Sequence, residues 1–239
     1  MRLLTTRTKV SLAAALAAVF SCAVFKPGLV GQDALSASAS EMSVSGRSGE
    51  TFKRTIVFGP FHTNTFSIGK PTISHNMPRS FIQSDDITRF TSATQGFHFT
   101  QFDSSGDSIA VECLDTRNAK TATFGSLMTY DTSSETYDIW LTKGSAREIF
   151  VFTKGKPLAV TLGKDTVTMA YDYKQDAREK RAFWGVLFAR PGETVTAVNL
   201  MDKGTVWMKK DLDKELKLLI AALSTAMLVK PDLENTSSR

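Results

Sequence analysis

The chain has 239 residues, 42% hydrophobic and 22% charged, a globular composition that excludes a largely disordered protein and suits one domain with extensions. The formal net charge is +5, but Arg2, Arg7 and Lys9 fall in the first nine residues, and without these three the 29 basic residues drop to 26 against 24 acidic. So small an excess gives no argument for nucleic-acid binding, which needs a clustered basic face.

Residues 10–25 (VSLAAALAAVFSCAVF) are an apolar run of sixteen that follows those cations. A spanning helix needs about twenty apolar residues. The shorter, Ala-rich run predicts a secretory signal, with a retained N-terminal anchor as the alternative. Val19-Phe20-Ser21-Cys22 is similar to a bacterial lipobox, in which a small residue precedes a cysteine that is lipidated and becomes the mature N-terminus. Val19 and Ser21 suit that pattern, and Phe20 is larger than its usual middle residue. The resemblance implies a lipoprotein-type signal region over residues 1–22 and acyl chains such as palmitate on Cys22. It also implies export to the cell envelope, at the outer membrane or its periplasmic face. Ala23 in place of Asp after the cysteine fits outer-membrane sorting in a Gram-negative cell. Cleavage after Gly31 or Ala39 is the competing reading.

Residues 26–51 hold six Ser and four Gly with little apolar periodicity. Such a stretch buries too little surface to offset its ordering entropy, which predicts a flexible tether over residues 23–51 and a single folded unit over 52–239. The second cysteine, Cys113, alternates with Ile109 and Val111 and reads as a buried, inert thiol.

From residue 51 short β-rich runs alternate with turn signals. Strands are expected at 51–58, 96–103, 108–114, 119–130, 136–142, 148–153, 157–162, 165–173, 182–189, 193–199 and 204–209. Gly106, Gly155, Gly163, Gly192 and Gly204 punctuate them, and no helical pattern intervenes, so the expected fold is mainly β, an antiparallel barrel or sandwich of about ten to twelve strands. Pro60, Pro71 and Pro78 mark residues 59–93 as edge strands and loops. One segment differs. Residues 211–229 predict a helix with Asp211 as N-cap and Pro231 beyond its end. From Leu218 to Val229 it is apolar nearly all round, so it must be buried on every side.

The strand count, the Phe102-Asp103-Ser104-Ser105-Gly106 hairpin and the apolar final helix together resemble the tubby-like group, including LURP-one-type domains, over roughly residues 52–229. The resemblance implies a closed barrel of about twelve strands around a hydrophobic C-terminal helix, and association with phosphoinositides or membrane lipids. No lipid-binding residue of that group has a counterpart here. An open sandwich with the helix on one sheet or in a subunit interface is the rival architecture.

Catalytic motifs are few. The sequence has no Gly-x-Ser-x-Gly, His-Glu-x-x-His, phosphate loop or dinucleotide fingerprint, and it implies no cofactor. Ser67-Ile68-Gly69-Lys70 has Ser-x-x-Lys spacing, which needs a helix that Gly69 and Pro71 disfavour. His62 and His75, near Asp85 and Asp86, lack a metal-ligand spacing and read as solvated loop residues, as His98 reads as an outward strand residue. Asp103 and Asp107 read as a hairpin tip rather than a calcium site. Arg178, Lys180, Arg181 and Trp184 form an aromatic-basic stretch of a kind that suits single-stranded nucleic acid or anionic headgroups, but nearby acids nearly cancel its charge and it reads first as a solvated turn between two core strands.

The expectation is a non-catalytic envelope module, held to the membrane through lipidated Cys22, that binds a lipid, a glycan or an envelope protein and no nucleic acid. The alternatives are a secreted hydrolase with a dispersed site around His62, His75 and Asp85, and an assembly subunit that uses the C-terminal helix.

Overall fold

The computed structural model describes residue 35 and residues 38–48, 51–76, 87–124, 128–153, 156–162, 164–173, 183–201 and 203–230. In chain order the strands are β1 (Ala39–Ser43), β2 (Ser45–Ser48), β3 (Thr51–Phe58), β4 (Phe61–Thr63), β5 (Ser67–Ile68), β6 (Thr72–Asn76), β7 (Ile87–Phe102) and β8 (Ser108–Phe124). There follow β9 (Met128–Lys143), β10 (Ala146–Thr153), β11 (Leu158–Leu162), β12 (Asp165–Tyr173), β13 (Phe183–Arg190), β14 (Glu193–Asn199), β15 (Thr205–Lys209) and the helix α1 (Lys214–Leu228).

The fold is mainly β, as expected, with fifteen strands in two antiparallel sheets. One runs β1-β15-β14-β13-β12-β11; the other runs β10-β9-β8-β7-β4-β3-β2, with β5 and β6 also paired to β7. The sheets meet at both margins. On one side Val44 alone separates β1 from β2, and its N–H donates to the Gly204 carbonyl at 3.2 Å. On the other side β10 leads into β11, but no ladder joins them among the described residues, so the strands form two sheets and not one closed barrel.

Alternation along the strands sends one set of side chains inward. Phe97 and Phe99 of β7, Ile109 and Val111 of β8, Ile139 and Leu141 of β9, Val167 and Met169 of β12, and Val186 and Phe188 of β13 belong to one buried cluster. The helix lies in that cluster, with twelve of its fifteen residues buried, which fits its all-round apolar second half. Inside the apolar contact, Thr225 donates from its hydroxyl to Gln101 Oε1 at 2.6 Å, and Gln101 Nε2 donates to the His62 carbonyl at 3.0 Å. A buried polar pair has few alternative partners, so this one fixes where the helix stands along β7.

Four sequence expectations change. The tether does not extend to residue 51: Ala39–Ser43 pairs with β15, Ser45–Ser48 pairs with β3, and Met42 and Val44 are buried. Leu35 is buried as well, against Ala197 and Trp207, because the apolar residues of this Ser-rich stretch find partners far along the chain. The runs 108–114 and 119–130 are not separate strands. Residues 108–124 form one strand, since its polar middle is paired on both sides by β7 and β9. Strand β7 likewise begins at Ile87, inside the region expected as edge strands and loops; β4, β5 and β6 are short strands along its edge, as expected, but the first part of β7 is a long paired strand. Finally, the N-cap is Asp213 and not Asp211: Asp213 Oδ1 accepts from the Leu216 N–H at 2.9 Å, while Leu212 is drawn into the core.

A core of this kind responds to side-chain truncation. Leu223→Ala, at a fully buried position of α1, should lower the unfolding free energy by about 2–5 kcal/mol. Ile149→Ala, on the exposed face of β10, should change it by less than about 0.5 kcal/mol. Urea midpoints at equal m-value make the comparison.

Candidate functional site

Ionic groups hold both ends of the helix. At its start Lys214 pairs with Asp107 and, at 3.6 Å, with Asp103, while Lys143 pairs with Glu215 at 3.2 Å. Arg190 lies 3.4 Å from Asp213 and 3.6 Å from Asp165. Asp103 Oδ1 accepts from the Ser105 N–H, the Ser105 hydroxyl and the Asp107 N–H. Burial works to raise the Asp103 pKa, but those bonds and Lys214 outweigh it and hold the carboxyl below its ordinary value. The hairpin tip thus fills the Asp103 carboxylate with its own donors.

At the other end Lys230 reaches back to Glu135 and, at 3.2 Å, to Asp115, with its ammonium 5.6 Å from the Tyr137 ring centre. The Tyr137 hydroxyl donates to the Ala226 carbonyl in the last helical turn at 2.7 Å. A cation at a helix C-terminus also meets the negative end of the helix dipole. Asp115 is fully buried, and its Oδ1 meets no hydrogen-bond donor among the described residues at ordinary bonding geometry. Burial pushes its pKa up to about 6; Lys230 opposes that rise and Glu135 adds to it. Burial likewise pushes Cys113 up to about 12, so the thiol is protonated and unreactive at neutral pH, as its strand position implied.

The larger described cleft lies at the opposite end of the helix from Asp115, at the margin where β1 and β4 of the two sheets approach. Its volume is about 380 Å³. Ser40 and Met42 of β1, Gly59 and Pro60 of the β3–β4 turn, Phe61 of β4, Met208 and Lys209 of β15, Lys210, and Lys217 of α1 line it. Local sequence explains each wall. Ser40 pairs across from Met208 and Met42 from Val206, so the alternating inner positions of β1 and β15 form a shared floor. Gly59, with φ 53°, starts the two-residue turn between Phe58 and Phe61, and Pro60 follows as its second residue. A β-carbon on Gly59 would come within 2.3 Å of Met42 Sδ, so the glycine also makes room for the floor.

The cleft is chemically two-sided. Met42, Phe61 and Met208 are buried side chains at its base. Among the described residues, every charged one in its lining is a lysine. Lys217 Nζ donates to the Lys210 carbonyl at 2.7 Å, and Lys209 pairs with Glu193 of β14 outside the cleft. That hydrogen bond to Glu193 raises the Lys209 pKa, so the ammonium stays charged. A second cavity, of about 100 Å³, is bounded by Lys143, Ala146, Leu162, Asp165, Glu215 and Leu219 and carries charges of both signs.

Of the residues singled out from sequence, the described His62, His75, His98, Ser67 and Lys70 line neither cavity. Cys22, Arg178, Lys180, Arg181, Asp85 and Asp86 lie outside the described residues, and Trp184 is placed in β13 by its backbone alone. His62 is exposed and stacks on Phe102 at 5.4 Å between ring centres; His75 is exposed and 3.3 Å from the Thr91 hydroxyl; His98 is exposed on β7. Ser67 lies in β5 with Lys70 beyond it, on no helix. Sequence reading passed over Lys209, Lys210 and Lys217. Their one signal was a pair of adjacent lysines between the last strand and the helix. Among the described residues no group of three or more His, Cys, Asp or Glu is placed to hold a metal ion, and no helix is long and apolar enough to cross a membrane. No family model, curated protein or solved structure matches the chain.

The buried carboxyl has a measurable consequence. Because the folded state raises the Asp115 pKa from 3.8 to about 6, it holds the proton more tightly than the unfolded chain. The resulting stability is fully present below about pH 4 and is lost as the pH rises through about 6. The wild-type stability minus that of Asp115→Asn should therefore fall across this window, by up to about 1.4 kcal/mol per pH unit. Denaturant unfolding of both proteins from pH 4 to 7 reads it, at about one-unit steps.

Proposed function

We propose that the chain is an exported bacterial envelope protein, held to the membrane by acyl chains on Cys22, and that its β domain is a non-catalytic binding module with the Ser40–Phe61–Lys210–Lys217 cleft as its ligand site. The observation that carries the binding role is the composition of that cleft: an apolar floor and an all-lysine charged rim, supplied by four separate segments and positioned by the buried helix. Ligand pockets typically combine a mainly apolar lining with a few convergent polar groups in about 300–1,000 Å³. The envelope address rests on the signal-like residues 1–22 and the lipobox-like Cys22. Kinship with the tubby-like group is part of the same reading, supported by one apolar C-terminal helix enclosed by antiparallel strands.

Two measurements test this. In bacterial cells expressing the full chain, an alkyne-tagged fatty acid should label the wild type and not Cys22→Ser, and the variant should leave the membrane fraction. Equal membrane retention of the variant would refute the anchor. Native mass spectrometry of the protein purified gently from a lipid-containing envelope extract should show a reproducible added mass. Ser40→Trp, which places an indole in the cleft, should remove it. An adduct that persists in Ser40→Trp would move the ligand site elsewhere.

A further inference from the structure

We infer that the ligand of this cleft is a single-chain anionic amphiphile, its tail against Met42, Phe61 and Met208 and its carboxylate or phosphate head at Lys210 and Lys217. The inference rests on the reading of the cleft as the ligand site and adds the chemistry of what enters it.

Both ends of the cleft select. At the base the lining offers two thioethers and a phenyl ring, with the Ser40 hydroxyl as its one side-chain hydroxyl. A sugar would exchange its water shell for a surface with few hydrogen-bonding partners, at a net loss. A flexible hydrocarbon chain loses nothing of the kind, and unbranched methionines adjust their rotamers to its shape. A purine or pyrimidine would look for an exposed aromatic face, whereas Phe61 is buried and packs its ring against Phe58 at 5.7 Å.

Among the described residues the charged lining of the cleft is three lysines and no carboxylate, so a divalent cation or an acyl chain with a cationic head is repelled. Two of the three lysines are already held in place: Lys217 by the Lys210 carbonyl and Lys209 by Glu193. Lys210 has no acidic side-chain partner among the described residues, and it is exposed. Lys217, already ordered by the Lys210 carbonyl, beside the exposed Lys210 suits one compact anion, because little of that ordering is left for binding to supply. Asp211 lies near enough to act on Lys209, which limits the positive field to the cleft mouth. At about 380 Å³ the cavity is near the lower end for small-molecule sites and has room for one chain, not for the two of a membrane phospholipid.

The test is calorimetric titration of the full-length chain, kept soluble in a neutral amphipol, with laurate, dodecyl phosphate, dodecanol and inorganic phosphate. Laurate, dodecyl phosphate or both should bind at one per chain, and the better of the two names the head. Dodecanol should bind at least tenfold more weakly, and inorganic phosphate should not bind. Changing Lys210→Gln and Lys217→Gln together should bring laurate to the affinity of dodecanol while leaving the urea midpoint in place. Equal affinity for laurate and dodecanol, binding of inorganic phosphate alone, or saturation only by two-chain lipid vesicles would overturn the inference. If none of the four binds while the extract-derived mass that Ser40→Trp removes is still seen, the ligand class is wrong and the cleft remains the site. If that mass is missing too, both readings fall.

Discussion

A helix with apolar side chains around its whole circumference has no face to give to water. That constraint governs the rest of this structure. An ordinary amphipathic helix is satisfied by one sheet, but α1 has twelve buried residues and needs cover on all sides. Two sheets, joined through Val44 at one margin and approaching each other between β10 and β11 at the other, provide it. The inner faces of ten or more strands are then apolar for the same reason, and the charged residues of the helix gather at its start.

Those ends differ in kind. The start of α1 sits in a ring of exposed ion pairs from the β7–β8 hairpin, β9 and β13. Such pairs contribute little individually in water. Their arrangement nevertheless sets the first turn, and with it Lys217, against the end of β15. The far end is drier. There Lys230, Asp115, Glu135 and Tyr137 close over the last turn, and an ionised Asp115 is tolerated only because an ammonium lies beside it. The lysine-lined cleft and the buried carboxyl thus lie at opposite poles of one helix.

Much of the architecture was legible in the chain. Alternation in β10 to β15 and the glycines between them gave strands close to those observed, and the run from Leu218 to Val229 announced a buried helix before any sheet was placed. What escaped was whatever depends on distant partners. Residues 91–95 (TSATQ) and 115–118 (DTRN) look like loops, because polar side chains on both faces hide the period of two; they are strands because each lies against the next over its full length. Met42 and Val44 look isolated in a Ser-rich stretch until β15, some 160 residues later, gives them a surface. The N-cap slipped by two residues because Asp211 and Asp213 are alike in sequence, and only the burial of Leu212 separates them. The cleft was the least legible part. Its lining comes from β1, a turn, β15 and α1, and no local spacing signals that three lysines meet there.

The pairing of β1 with β15, and the position of α1 after every strand, bear on the order of assembly. A growing or translocating chain displays its inner strand faces long before the segment that covers them exists. Any product that stops short of residue 214 lacks that cover altogether and would show its apolar surfaces to proteases and chaperones. Nor can the first strand finish pairing until β15 has emerged, so its contacts close one of the longest loops available to the chain. Folding dominated by such distant pairings is slow. Completeness of the C-terminus thus serves as the signal that commits the chain to one compact shape.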